Sequence, residues 1–350
     1  MRQMMHGKQL IISQHSSQHY RVLFNQRTGM FIRKEDKGYE EPFWSMDGPE
    51  LLDIAITNYC ERGCTFCYRQ SSISGRHMHI DDIREIIVQA QEIGVFQIAL
   101  GGGNPNQHPE FCEILKLIRN HNIVPSYTTN GEGLTDEILR STAENCGAMA
   151  ISVFPPYDSH YERLLKSISE YGIRVNLHVI LKCDTIDTII SWLNSPPLFM
   201  KYVNAIIFLN YKPINKEYII EPIEKKKLQL FFQSVSNCKD VKIGFDSCSV
   251  SGIVSMMEIP NFLVESCEAA RFSAFISEDM KMYPCSFMAG TDCFGNLRTE
   301  SILDIWQSNS AFLQFRNKIR NHGCMNCIHK SICNGGCQFM PEINLCGNFR

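Results

Sequence analysis

The stretch LLDIAITNYCERGCTFCY at residues 51–68 joins a short apolar, β-branched run to a loop that carries Cys60, Cys64 and Cys67. The run has the length and composition of a buried β-strand. The cysteine spacing is C-x3-C-x2-C, which is one thiolate short of a closed four-ligand metal site. Three thiolates that leave one coordination position open are what a catalytic metal site requires, and this loop follows directly on a predicted strand.

The alternation of strand and helix continues downstream of this loop. Short apolar runs predict six strands, and segments with a helical period fall between them, for example at 81–94 and 135–147. The predicted strands are 51–57, 95–100, 123–129, 148–154, 173–181 and 205–211. We expect Gly94 and Gly147 to cap the two helices at their C-termini. Six such units predict an α/β fold with a parallel sheet and right-handed crossovers, either open or curved toward a barrel.

The predicted domains are 1–48, 49–235 and 236–350. Residues 1–48 form an N-terminal extension in which 20–35 predict a β-hairpin. The second domain holds the six units, and in such sheets the chemistry lies at the carboxyl ends of the strands. The last domain is rich in cysteine and poor in periodic apolar sequence, so we expect metal binding to supply folding free energy there.

Composition and charge exclude several classes of protein. The chain has 350 residues, of which 44% are hydrophobic and 20% charged, which is typical of a globular protein. A net charge of -3 gives no basic field, so a nucleic-acid partner is not expected. No secretory h-region and no run of 18 uncharged apolar residues is present, so we expect a cytoplasmic protein with no membrane partner. In that reducing compartment the sixteen cysteines indicate metal binding and not disulfides.

A second group of cysteines lies near the C-terminus. The spacing is C-x2-C-x5-C-x3-C, with one cysteine following and two preceding, and the full set is Cys267, Cys285, Cys324, Cys327, Cys333, Cys337 and Cys346. Spacing alone fits a zinc ribbon as well as iron-sulfur clusters, because thiolates bind both. The first group likewise leaves open a zinc site completed by His77 or His79, or plain buried cysteines.

The first cysteine group resembles the radical S-adenosylmethionine (SAM) superfamily, with Phe66 in the aromatic slot of C-x3-C-x-F-C. The resemblance implies a partial (β/α)6 TIM-like barrel in which the three cysteines hold a 4Fe-4S cluster. The amine and carboxylate of SAM would bind the open iron. One electron would then cleave SAM to methionine and a 5'-deoxyadenosyl radical, which abstracts a hydrogen from the substrate.

The same resemblance implies SAM contacts at the ends of the following strands. LGGGNP at 100–105 is similar to the family's G-G-E-P-like loop, in which glycines let the backbone approach SAM. Asn104 replaces the usual acidic residue, and its amide oxygen would accept a hydrogen bond from the SAM amine. The expected cofactor-binding residues are Phe66, Gly102, Gly103, Asn104, Thr128, Asn130, Ser152 and Asn176.

The C-terminal cysteines resemble the seven-cysteine SPASM extension of radical SAM enzymes. The resemblance places Cys267, Cys285 and Cys337 on one auxiliary 4Fe-4S cluster and assigns a second one to Cys324, Cys327, Cys333 and Cys346. Met280 stands where the pattern has glycine, so we expect the turn there to be built differently. Ser286 stands where sulfatase-maturing relatives have an aspartate base, which makes formylglycine formation an unexpected reaction here.

The first auxiliary cluster has only three evident ligands. Cys248 or Cys293 is a candidate for the fourth; otherwise one iron stays free for a substrate thiolate. Asp246 and Cys248 follow the sixth unit and are our candidate catalytic residues, as proton acceptor and hydrogen donor. The alternatives are a turn-capping aspartate and an ordinary buried cysteine.

The function implied by the resemblance is a peptide-modifying maturase. Such an enzyme would oxidatively modify a peptide or protein side chain, for example by a thioether or carbon-carbon crosslink in a ribosomally made peptide (RiPP). We expect a flavodoxin- or ferredoxin-type electron donor. Two alternatives stay open at this point: radical dehydrogenation or epimerisation of a small molecule, and a zinc-stabilised binding module with no chemistry.

Overall fold

Two units make up the fold in this computed structural model, which describes residues 2–7, 9–154, 159–212, 223–324 and 326–346. The first unit contains Met1–Cys64, Arg69–Met149 and Ala269–Arg316. The second contains Thr65–Tyr68, Ala150–Glu268 and Asn317–Arg350. Among the described residues, no helix combines the length and the apolar character needed to cross a membrane.

The strands alternate with helices through the middle of the chain. The strands are β1 Arg2–His6, β2 Leu10–His15, β3 Tyr20–Asn25, β4 Phe31–Glu35, β5 Leu51–Thr57, β6 Gln97–Gly102, β7 Val124–Thr129, β8 Ala148–Val153, β9 Val175–Leu181, β10 Ala205–Asn210, β11 Ile243–Phe245, β12 Ser273–Ile276, β13 Lys281–Tyr283 and β14 Gly295–Asn296. The helices are α1 Ile80–Glu92, α2 Phe111–Asn120, α3 Asp136–Asn145, α4 Ser159–Ser169, α5 Ile186–Asn194, α6 Lys225–Asn237, α7 Val250–Met256, α8 Ile302–Ser308, α9 Ser310–Arg320 and α10 Lys330–Cys333.

The first unit begins with an antiparallel sheet in the order β1-β2-β3-β4. Strands β3 and β4 form the hairpin expected over 20–35, with Tyr20 opposite Glu35. Strands β1 and β2 extend it to four strands. The core of this sheet includes Tyr20 and Phe24, which pack with Phe96 from the entrance to β6. The extension is therefore packed onto the α/β part of its own unit.

The α/β part of the first unit has the strand order β7-β6-β5-β12-β13-β14. Strands β5, β6 and β7 are parallel, as predicted. Strand β12 also pairs with β5 in parallel, and β13 returns antiparallel to it. In the second unit β9, β10 and β11 pair in parallel. The α/β class with a parallel sheet is confirmed, and the ends of all six predicted strands lie within two residues of β5 to β10.

The helix boundaries follow from local chemistry. His79 caps α1 by accepting a hydrogen bond from Asp81 N, and Thr135 caps α3 by accepting one from Ile138 N. Gly94 has φ +76°, the left-handed conformation expected of a glycine after a helix. Gly147 does not have the positive φ of a left-handed C-terminal cap, so the prediction that it caps α3 is wrong. A Cβ there would lie 2.8 Å from Val124 Cγ1, so close packing explains the glycine.

Side chains alternate along the parallel strands between two environments. On β9 the odd residues from Val175 to Leu181 are buried, whereas Asn176 and His178 on the other face are half-buried. Because successive side chains of a strand point to opposite faces, one face meets the helices and the other carries the polar groups. This second face holds Ser152 on β8 in the same unit.

Candidate functional site

The cysteine loop leaves the carboxyl end of β5, as the sequence predicted. Cys60 and Cys64 belong to the first unit, and Cys67 belongs with Thr65–Tyr68 to the second. All three are half-buried, and none of them forms a disulfide. The Cys60 amide donates to Ser72 O at 3.0 Å, which fixes the start of the loop. The Asn130 amide nitrogen, at the end of β7, lies 3.6 Å from Cys60 Sγ and donates a hydrogen bond to it.

The loop after β6 packs directly against the backbone that leads into Cys60. The amide of Gly103 donates to Thr57 O at 2.8 Å, and that of Asn104 donates to Tyr59 O at 2.9 Å. A Cβ on Gly102 would lie 2.1 Å from Thr57 O, and one on Gly103 would lie 2.0 Å from Tyr59 O. Since real Cβ contacts are never this short, only glycine allows the two loops to touch. The close approach thus involves the cysteine loop itself.

Asn104 is buried, and both ends of its side chain have protein partners. Its Oδ1 accepts hydrogen bonds from Thr129 Oγ1 at 2.8 Å and from the Asn130 amide at 3.2 Å. Its Nδ2 donates to Glu132 O at 3.0 Å. Asn104 therefore ties the β6 loop to the segment after β7, the same segment that reaches Cys60. Thr128, the neighbour of buried Thr129, is half-buried on the opposite face of β7.

The histidines considered as zinc ligands already have other partners in the first unit. His77 Nδ1 lies 2.9 Å from Thr57 Oγ1, and His79 Nδ1 caps α1. Burial lowers the pKa of His77. Within the described ranges, no three Cys, His, Asp or Glu side chains converge closely enough to hold one metal ion. The zinc interpretation of the first cysteine group therefore gains no support from the geometry.

In the second unit, the predicted cofactor residues lie on half-buried positions. The ring centroid of Phe66 is 5.2 Å from that of Phe154, and Lys182 Nζ lies 5.6 Å from the Phe66 ring. Asn176 Oδ1 accepts a hydrogen bond from Asn204 Nδ2 at 2.8 Å. Burial lowers the pKa of His178 to about 4, so this histidine is neutral near pH 7. A neutral imidazole beside Asn176 offers hydrogen bonds without adding charge.

Asp246 follows β11 and is fully engaged by its surroundings. Its Oδ1 accepts from the Asn210 amide at 3.2 Å and from Ser249 Oγ at 2.8 Å. Its Oδ2 pairs with Lys212 Nζ at 2.6 Å, and the lysine side chain is only 4% exposed. Lys212 also donates to Asn210 O at 2.9 Å. The predicted proton acceptor thus forms an ion pair with a buried lysine.

Lys212 and Asn210 are site residues that the sequence reasoning missed. Both stand at or just after the carboxyl end of β10, the position where functional side chains of parallel sheets collect. Asn210 Nδ2 donates to Cys248 O at 3.3 Å and to Ile343 O at 2.9 Å. The sequence did contain a signal, because two polar residues follow the apolar run of β10. The rule that functional side chains lie at the carboxyl ends of parallel strands would have selected them.

Two sets of C-terminal cysteines gather within the second unit. The thiols of Cys324, Cys327, Cys333 and Cys346 interact electrostatically, and burial with these neighbours raises the pKa of Cys333 to about 11. In the other set, Cys248 hydrogen-bonds through its thiol to Cys337, which lies beside Cys267. The first set matches the four ligands assigned by sequence to one auxiliary cluster. Cys285 lies in the first unit, and Cys293 there is exposed.

The donor chemistry of the four-thiol set fits an iron-sulfur cluster. Four thiolates on one Zn²⁺, with Zn–S near 2.3 Å, would stand about 3.8 Å from one another. The described side chains do not converge in that way. In a cubane each thiolate binds its own iron, so the sulfurs stand farther apart. Four clustered thiols are donors of the kind that iron-sulfur clusters use.

The turn before Cys285 contains a methionine in an unusual backbone conformation. Met280, which stands where the pattern has glycine, has φ +65°, the left-handed conformation that glycine adopts without strain. A non-glycine residue there costs about 1–2 kcal/mol. Burying the Met280 side chain, which is 0% exposed, stabilises the fold by about 1.5–3 kcal/mol and offsets this strain.

The comparisons with known proteins agree with this arrangement. Residues 54–193 match the radical SAM superfamily, and residues 267–328 match SPASM, an iron-sulfur cluster-binding domain. The mycofactocin maturase MftC of Mycolicibacterium smegmatis is 22% identical over 315 residues, which cover 83% of this chain and 79% of MftC. A probable GTP 3',8-cyclase of Methanocaldococcus jannaschii is 28% identical over 197 residues, covering 50% and 65%.

The fold is shared with a solved structure. Streptococcus suis SuiB bound to S-adenosylmethionine superposes with a TM-score of 0.75 at 15% identity and 95% coverage of both chains. SuiB bound to its precursor peptide SuiA gives the same TM-score, with 96% and 95% coverage. The chain thus carries a radical SAM domain and a C-terminal SPASM domain: it is a radical SAM enzyme, and its cofactors are a 4Fe-4S cluster, S-adenosylmethionine and auxiliary iron-sulfur clusters.

Proposed function

We propose that this enzyme oxidatively modifies a peptide, by a thioether or carbon-carbon crosslink or a related change in a ribosomally made precursor. The observation that carries the proposal is the extent of the similarity to the maturase MftC, which covers 83% of this chain and 79% of MftC. The fold match to SuiB, which has been solved bound to its precursor peptide SuiA, supports a peptide as the substrate.

The residues have separate roles in this proposal. Cys60, Cys64 and Cys67 hold the SAM cluster, which when bound supplies the electron that cleaves SAM to a carbon radical. Asn130 donates a hydrogen bond toward Cys60 sulfur. Such bonds to ligand sulfur tune the reduction potential of a cluster. Asn104 keeps the Asn130 segment in place through its Oδ1.

Half-buried polar side chains at the strand ends would contact SAM. Thr128, Ser152 and Asn176 would bind SAM, and Phe66 would pack beside it, as the family resemblance implies. Gly102 and Gly103 keep the β6 loop pressed against the cysteine loop. Asp246, paired with Lys212, contributes a fixed dipole near the end of β10.

The C-terminal cysteines would hold auxiliary clusters, which when bound would supply one-electron redox chemistry for the electron left on the substrate after hydrogen abstraction. A flavodoxin- or ferredoxin-type protein would reduce the SAM cluster, because one-electron carriers match one-electron cleavage. We place this chemistry in the cytoplasm, where thiols stay reduced.

A second candidate function is radical chemistry on a small molecule. The similarity to the probable GTP 3',8-cyclase favours it, but that similarity covers only half of this chain. The peptide proposal accounts for the SPASM domain as well, and so it is preferred.

Mass spectrometry of a short peptide encoded beside the gene, co-expressed with the enzyme, tests the proposal. A crosslink removes two hydrogens, so we expect a loss of about 2 Da from the peptide, consistent with oxidative radical chemistry. The matched control replaces Cys60, Cys64 and Cys67 together by Ala and should leave the peptide unchanged. An unmodified peptide, alongside turnover of a small molecule by the intact enzyme, would favour the second candidate.

A further inference from the structure

Cys248 lies in a segment that is held firmly against the C-terminal cysteine region. Asn210 Nδ2 bridges Cys248 O and Ile343 O, at 3.3 Å and 2.9 Å. The Leu345 amide donates to Ser251 Oγ at 2.9 Å. Residues 248–251, at the start of α7, are therefore joined to residues 343–345 by the Asn210 bridge and by the Leu345–Ser251 hydrogen bond.

Cys337 is attached to the same C-terminal segment. Its amide donates to Asn344 Oδ1 at 2.9 Å, and its carbonyl accepts from Asn344 Nδ2 at 3.3 Å. Gly252 provides the room for this packing, because a Cβ there would lie 2.9 Å from Leu345 Cβ. These contacts explain why the thiols of Cys248 and Cys337 meet in a hydrogen bond.

We infer that Cys248 is the fourth protein ligand of the first auxiliary cluster, beside Cys267 and Cys337 of the same unit. The inference rests on the auxiliary-cluster part of the proposed function and is independent of the peptide substrate. Thiols that touch as a hydrogen-bonded pair separate on binding neighbouring irons, because a change of χ1 rotamer moves a sulfur by about 3 Å. Each thiol releases its proton when it binds.

Cys293, the other candidate for this position, lacks the same setting. It is exposed, and its amide donates to Thr291 Oγ1 in a local turn. The backbone of Cys248, in contrast, is held by Asn210, and its thiol meets that of Cys337.

The functional consequence concerns how the cluster is used. If Cys248 fills the last coordination position, no iron of this cluster stays open for a substrate thiolate. The first auxiliary cluster then acts as an electron carrier, and Cys248 is a ligand instead of a hydrogen donor. The substrate must then be bound by side chains elsewhere in the protein.

Iron counting and EPR spectroscopy of the anaerobically reconstituted full-length protein test this assignment. Three 4Fe-4S clusters give about twelve irons per chain in the parent protein and in the control C293A. In C248A we expect either about eight irons per chain or full iron with an EPR signal that shifts when 2-mercaptoethanol is added. SAM is present throughout to occupy the open iron of its own cluster.

The variant C248S separates a ligand from a packing residue. Serine conserves the shape, so a packing role predicts an unchanged EPR signal, whereas exchange of a sulfur ligand for oxygen predicts an altered one. The inference is overturned if C248A keeps its irons and its signal ignores the added thiol, if C293A shows the defect instead, or if a Cys248–Cys337 disulfide is recovered from anaerobic protein.

Discussion

At the residue scale, Asn104 shows how one substitution in a familiar loop is accommodated. The sequence suggested that its amide oxygen would meet the SAM amine, but that oxygen already accepts from Thr129 and Asn130. An amide suits this position because it accepts two bonds and donates a third to Glu132 O. A carboxylate would lose that donor. Asn104 therefore organises the loops around the site.

The change N104A tests this role. It removes three hydrogen bonds of a buried side chain and leaves Thr129 Oγ1 without its acceptor, so we expect the free energy of unfolding to fall by about 1–3 kcal/mol. Thermal unfolding of the SAM-free holoprotein measures it. The control N120A alters an exposed residue and should stay within about 0.5 kcal/mol of the parent. Unchanged stability with weaker SAM binding would instead indicate direct contact with SAM.

Sequence identifies site residues when the residues that interact are close together along the chain. The family resemblance assigned Cys324, Cys327, Cys333 and Cys346 to one cluster, and the structure brings their thiols near one another. Lys212 was missed because its partner Asp246 is 34 residues away, and nothing in the spacing links them. The strain at Met280 was missed because methionine gives no turn signal, although its burial stabilises that conformation.

At the element scale, the loop after β6 and the cysteine loop after β5 form one packed pair. Parallel neighbours bring their carboxyl ends together, so both loops leave the same edge of the sheet. The strand periodicity was sufficient to predict β5 to β10. It did not predict β12, which pairs with β5, because four residues within a cysteine-rich region are too few to show a period.

Gly101 and Gly103, at and just after the end of β6, allow a matched test of this loop pairing. In G103A the added Cβ would lie 2.0 Å from Tyr59 O, so the cysteine loop must move. We expect a loss of about 1–3 kcal/mol in stability, as in other overpacked sites, together with loss of iron from the SAM cluster. In G101A nothing lies within 4 Å of the new Cβ, and both properties should be kept. Equal effects of the two variants would contradict the packing explanation.

At the scale of the whole molecule, two kinds of stabilisation operate. The first unit has an apolar core beneath two sheets, whereas the C-terminal residues 321–346 are mostly loop with the short helix α10. With so little apolar surface buried by regular elements, the bound clusters must contribute to folding there. The cysteine-rich composition of that region also predicts this dependence.

Removal of iron by an anaerobic chelator should therefore loosen the C-terminal region selectively. We expect trypsin to cut faster at exposed Lys330 in the apoprotein, because metal binding and folding are coupled in this region. Cleavage at exposed Lys34, on β4 of the antiparallel sheet, provides the internal control and should keep its rate. Peptide mapping over a time course measures both. Equal acceleration at the two sites would indicate global unfolding instead.

The central claim is that three thiolates leave one iron available to SAM. Formation of 5'-deoxyadenosine by the reduced, anaerobic protein measures this most directly, by chromatography after mixing with SAM and a chemical reductant. We predict production by the parent protein and none by the variant in which Cys60, Cys64 and Cys67 are all Ala, although that variant keeps the absorbance of its auxiliary clusters. Continued 5'-deoxyadenosine formation by the variant would contradict the account.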